Sequence, residues 1–158
     1  GLVEARWGHK KGDDGGCFAA ALHAVRTWGG VLEHPAYSDA WAAFSLPVPH
    51  RGGGWQRGLC GGWAAHVEQG RYGHAARKPT WLYAHGTALP DLRWGRTKNP
   101  TGTCSFGHYA RIGDLPTNGN TNWQSRRRLS SKEASASPID FRDLLLDMAR
   151  SVRRECVA

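Results

Sequence analysis

Most signatures by which a sequence declares its chemistry are missing from this 158-residue chain. There is no Gly-x-Ser-x-Gly nucleophile elbow, no Walker loop, no His-Glu-x-x-His pair and no Gly-x-Gly-x-x-Gly after a strand. Gly52-Gly53-Gly54 lies too far from a strand–helix junction to serve as a dinucleotide loop. No Cys-x-x-Cys pair occurs, because Cys17, Cys60, Cys104 and Cys156 stand far apart. The Cys60–His66 and Cys104–His108 spacings are too loose for structural zinc, so no metal site is expected. Free thiols, no recognisable signal peptide and no apolar run able to span a bilayer point to a cytoplasmic protein. Acidic residues are scarce, 13 against 21 lysines and arginines, giving a formal net charge of +8. Such a surface suits an acidic partner, most commonly nucleic acid, although a protein can also simply be basic.

What the chain does have is tryptophan, eight in all. Some must fill a core, and tryptophan also stacks on bases. The length fits one domain over residues 1–158. It opens on Gly1 rather than methionine, so residues upstream are allowed for.

Residues 1–13 read as a polar, basic loop. Asp13 and Asp14 precede Phe18, Ala21, Leu22, Val25 and Trp28, which have helical spacing with acids at the positive end of the dipole. Gly29-Gly30 stops that helix, and Val31-Leu32-Glu33 reads as a short strand cut by Pro35. Helix, glycine turn and strand make half of an α/β unit. A short helix is expected over 37–44, capped by Ser38. Residues 45–62 read as a Pro- and Gly-rich loop. Strands are expected over 63–69 and 80–85, joined as a hairpin, which makes the sheet mixed. Residues 90–136 read as a long basic loop, partly disordered over 90–128. A last helix is expected over 138–154, with Ser137 as cap, Pro138 at its first position and Asp140 in the first turn.

Three groups of residues can carry chemistry. Glu33 ends a buried strand, at the rim where open α/β sheets bind ligands. A carboxylate there can grip an amidine-like edge such as N3 and the exocyclic amine of cytosine; it can equally cap a helix or pair with an arginine. Tyr72, His74, Arg77 and Lys78 stand ahead of the next strand. They suit phosphate and base contacts, or an ordinary basic turn. Arg126, Arg127 and Arg128 form either a nucleic-acid contact or a solvated charge cluster.

In order, these motifs resemble a family. Gly30-Val31-Leu32-Glu33-His34-Pro35 is similar to the Glu-Asn-Val or Glu-Asn-Pro strand end of DNA cytosine-5 methyltransferases. Residues 72–83, from Tyr72-Gly73-His74 through Arg77-Lys78 to Trp81-Leu82-Tyr83, resemble their Tyr-Gly-x-Pro-Gln-x-Arg-x-Arg loop and the following strand. Together with Arg6-Trp7-Gly8 and Gly12-Asp13-Asp14-Gly15-Gly16, the chain resembles phage and prophage methyltransferase-like proteins over about residues 5–83 and, more weakly, 137–154. The resemblance implies a partial Rossmann-like, methyltransferase-type α/β fold in a bacterial host cell. It implies Glu33 on an extruded cytosine, DNA as partner and S-adenosylmethionine as methyl donor. The chain departs from the family where its Pro-Pro-Cys nucleophile would stand, since Leu2-Val3-Glu4 occupies that place. Glu4 cannot add to the base as a thiolate does. The Gly-rich cofactor strand is missing too, and Ala75-Ala76 replaces Pro-Gln. The alternative is a non-catalytic phage DNA-binding protein that uses its basic surface; a third reading has that surface meeting a protein partner.

Overall fold

A computed structural model describes residues 14–104 and 126–152. The first helix, α1 (Cys17–Trp28), forms where the apolar spacing predicts. Asp14 stays outside it and accepts hydrogen bonds from Gly16 N (3.0 Å) and Phe18 N (2.7 Å), satisfying donors that a helix start leaves open. Asp13 lies outside the described residues. Gly29 ends the helix at φ +78°, and a Cβ there would fall 2.7 Å from Val152 Cγ1. Only glycine meets both conditions.

Strand β1 (Gly30–Pro35) follows, then α2 (Asp39–Ala43), where Ser38 caps by accepting from Ala40 N. Next come β2 (Gln56–Arg57), β3 (Trp63–Glu68), a 3-10 turn (Gln69–Tyr72) and β4 (Pro79–His85). The main sheet has the order β1-β4-β3-β2. The expected hairpin is present as β3–β4. The expected mixed, Rossmann-like sheet is not seen among the described residues, because all three pairings of this sheet are antiparallel. The cause is the connection. Residues 69–78 turn the chain straight back, so β4 inserts between β1 and β3 and keeps these two co-directional strands from pairing. A parallel pair does occur apart from that sheet, between β5 (Gly102–Thr103) and β6 (Arg127–Arg128).

Alternation along β4 builds two cores. Trp81 and Tyr83 join Phe18, Leu22 and Trp41 on the side of α1 and α2. Leu82 points the other way, into Val67, Tyr72, Leu92 and Phe141. Phe141 belongs to α4 (Ile139–Arg150), the last described helix. Its N-cap is Pro138, one residue later than expected, and residues 153 and 154 of the expected helix lie outside the described residues. Buried indoles find partners: Trp41 Nε1 donates to Pro47 O (2.9 Å) and Trp81 Nε1 to His66 Nδ1 (3.0 Å).

The expected loop over 90–136 is more structured than its composition implies. Leu92 is buried, Trp94 meets Trp55 edge-on, and Thr97 N donates to Glu68 Oε2 at 2.7 Å. A short helix, α3 (Ser131–Ser135), opens with a capping box between Ser130 and Glu133. Residues 105–125, the middle of the expected loop, lie outside the described residues.

Candidate functional site: a cavity at the carboxyl end of β1

The turn between β3 and β4 is closed by its own backbone. Gln69 N donates to Lys78 O (3.1 Å) and Gly70 N to Arg77 O (3.0 Å). This prolongs the hairpin ladder past the strand ends and brings Lys78 beside Gln69. The turn needs Gly73 at φ +100° and forces Lys78 to φ +46°, a conformation uncommon for a residue with a side chain.

Two of the predicted base contacts are instead internal struts. Tyr72 is buried, its ring centroid 5.1 Å from that of Phe141, and its hydroxyl accepts from Arg93 N at 3.0 Å. Burial raises its phenol pKa, against the opposing bond from Arg93. His74 is also buried. Its Nδ1 accepts from Ala76 N at 3.0 Å, which leaves Nε2 to donate to Glu133 O at 3.1 Å. Neither ring is presented to solvent for stacking. An aromatic and a histidine beside glycine look the same in sequence whether they face a base or a core.

Lys78 reaches the end of α3. Its Nζ donates to Ser135 O (2.9 Å) and Ala136 O (2.7 Å), carbonyls that the short helix leaves open. His74 and Lys78 thus both hold α3 by its backbone. The helix needs such ties, since it buries none of its own side chains.

Beneath α3 lies a cavity of about 330 Å³. Glu33, Lys78, Thr80, Cys104, Arg128 and Ser131 line it. It opens where β1 ends and β4 begins, at the rim that the sequence assigns to Glu33. Burial raises the Glu33 carboxyl above its usual pKa, while the charge of Lys78 and a hydrogen bond with Thr80 pull it back. Burial lowers Lys78, opposed by Glu33, and raises the Cys104 thiol, opposed by Lys78. Desolvation penalises the charged form in each case, so it is the leading cause throughout. The Glu33 carboxyl therefore takes up a proton more readily than an exposed carboxyl does.

The three arginines of the run part company. Arg127 forms a two-pronged pair with Glu133 (2.8 and 3.1 Å). That carboxylate also accepts from Ser130, and these bonds hold its pKa down to about 2. Arg128 lines the cavity, and Arg126 is partly buried before β6. Arg77 is partly buried within the turn. The predicted set thus converges on the cavity only at Glu33, Lys78 and Arg128.

Sequence reading missed Gln69, Thr80 and Cys104. Gln69 follows directly on the carboxyl end of β3, and a long polar side chain at that register is a usable signal. Cys104 offers none, since it reaches the cavity only through the pairing of β5 with β6. A second hollow, between Val31 and Leu145, Leu146 and Ala149 of α4, is mainly apolar. Among the described residues no group of histidine, cysteine and carboxylate side chains could hold a metal ion. Among them, too, no helix is long and apolar enough to cross a membrane. Compared with protein-family models, with curated proteins and with solved structures, the chain matches none of them.

Proposed function

We propose that this chain is the base-binding part of a DNA cytosine methyltransferase-like protein, with the β1 cavity receiving an extruded cytosine. The observation that carries the reading is a half-buried carboxyl, Glu33, lining a cavity that also contains Lys78 and Arg128, with its pKa raised by burial. The ring nitrogen of cytosine accepts a hydrogen bond and its exocyclic amine donates one. A carboxyl that shares a proton matches both. The two cations suit the phosphate that accompanies the nucleotide. The cavity lies near the small end of the range for ligand sites, in keeping with one base rather than a stretch of strand.

The methyl donor does not fit the same cavity. S-adenosylmethionine carries a cationic sulfonium, and Lys78 and Arg128 would repel it. The sequence likewise lacks a Gly-rich cofactor strand and places Glu4 where the family has its thiol. This chain's residues bind, orient and desolvate the base.

That same lack of nucleophile favours the second reading, a non-catalytic DNA binder. Oligodeoxycytidine and oligodeoxythymidine of equal length separate the two. The base-binding reading expects tighter binding of the cytosine oligomer, lost in Glu33→Ala, with salt-dependent affinity common to both. Equal affinity for both oligomers in the wild-type chain would leave only the basic-surface reading.

A further inference from the structure

Gln69 is fully buried, and its amide makes an unusual choice of partners. Nε2 donates to Glu33 Oε1 at 3.2 Å and to Thr80 Oγ1 at 3.0 Å. Thr80 has a single hydroxyl proton, for which Lys78 O at 3.2 Å and the Glu33 carboxylate compete, so toward Gln69 it can only accept. That fixes the amide, with its NH2 toward Glu33 and Thr80. The side-chain carbonyl Oε1 is left buried without a hydrogen-bond partner among the described residues. An orphaned buried acceptor costs stability, so this orientation has to be held by what the NH2 does.

We propose that Gln69 is a specificity-determining residue of the cavity, which fixes how Glu33 meets a bound base. This rests on the base-binding reading. By donating to Oε1, Gln69 commits that oxygen as an acceptor, and any proton on the carboxyl must sit on Oε2. The carboxyl then presents an acceptor and a donor side by side. That pair complements an amino–imine edge, as in cytosine, and opposes the oxo–imide edge of thymine or uracil. Gln69 touches Glu33 rather than the reacting atoms, so it is a positioning residue. The titratable and charged groups facing Glu33 across the cavity are Lys78, Cys104 and Arg128.

The test uses two independent readouts. The first is the Glu33 carboxyl pKa, followed by carbon-13 NMR in the whole chain, for wild type, Gln69→Leu and Thr80→Val. Removing a donor to the carboxylate destabilises its charged form. The Glu33 pKa is therefore expected to rise in Gln69→Leu, and also in Thr80→Val, which removes Thr80's own bond to Glu33 together with the acceptor that orients the amide. Leucine has similar size and removes the orphaned carbonyl together with the NH2, which favours a folded variant. If Gln69→Leu does not fold, Gln69→Met, which also lacks the donor, takes its place. The second readout is the preference for oligodeoxycytidine over oligodeoxythymidine, expected to fall roughly tenfold in Gln69→Leu, the worth of one hydrogen bond. An unmoved Glu33 pKa in the variants overturns the positioning role. A shifted pKa with an unchanged preference overturns the specificity role. A wild-type chain with no preference at all overturns the base-binding reading and the specificity claim with it, while the pKa shift still reports whether Gln69 holds Glu33.

Discussion

Gly70 is where the site's architecture can be challenged most directly. It sits in the 3-10 turn between Gln69 and Arg71. A Cβ added there would fall 2.5 Å from Thr97 Oγ1, 2.7 Å from Thr97 Cγ2 and 2.9 Å from Ala76 O. Rotating Thr97 relieves the first two clashes but not the third, which is with backbone. Overpacking of this kind costs about 1–3 kcal/mol. If the chain relieves it by lifting the segment around Thr97, the 2.7 Å bond from Thr97 N to the buried Glu68 carboxylate is lost as well. A hydrogen bond to a charged group contributes a further ~1.5–3 kcal/mol. Gly70→Ala is thus expected to destabilise the protein by roughly 2.5–6 kcal/mol, a large part of an ordinary domain's stability. Urea unfolding followed by circular dichroism measures it. Gly52→Ala is the control, because a Cβ there meets nothing within 4 Å; it should stay within about 0.5 kcal/mol of wild type. A Gly70→Ala variant as stable as the control would refute the packing of the 90–104 segment against the turn.

Burial raises the folded-state pKa of Glu33 above the ordinary carboxyl value of 4.5, so its contribution to stability is present below that value and lost as pH rises through the folded pKa. Glu33→Gln should therefore be more stable than wild type at about pH 8, with the difference vanishing in melts near pH 4; a pH-independent difference would contradict the buried carboxyl. Glu133 behaves in the opposite sense. Its contribution to the α3 cap holds above 4.5 and disappears as pH falls through about 2. The Glu133 and Ser130 amide resonances should titrate together near 2, and a midpoint at the ordinary value would show that the Arg127 pair is not formed. In Lys78→Met the two bonds to Ser135 O and Ala136 O are gone, and hydrogen exchange over residues 131–136 should speed up roughly tenfold while β4 is unaffected. Unchanged exchange would mean that α3 is held by something else.

Local structure was legible because it depends on near neighbours. The apolar spacing from Phe18 to Trp28, the Gly29-Gly30 stop, Ser38 as a cap and the apolar face around Phe141 and Met148 each answer to chemistry within a turn or two. The β3–β4 hairpin followed from two strand-like runs separated by one short segment. α3 was missed because residues 131–135 carry no apolar stripe; the helix exists through its capping box and the ties from His74 and Lys78.

The sequence alone determined that the chain is basic, that Glu33 lies in a short strand, which runs on to Pro35 rather than ending at Glu33, and that a basic turn precedes β4. Those are properties of composition and of short-range pattern. Only the tertiary structure decided that the main sheet is antiparallel, because strand direction depends on which connection carries the chain back. It also decided which motif residues face the cavity and which are struts. Glu33 and Gln69 are 36 residues apart and meet because β4 lies between β1 and β3, bringing both carboxyl ends to one rim. Tyr72 and His74 turn inward because Phe141 and the backbone of α3 offer them partners that no local pattern records. The raised pKa of Glu33 is likewise a product of burial, and burial is set by the packing of distant segments rather than by the residue itself.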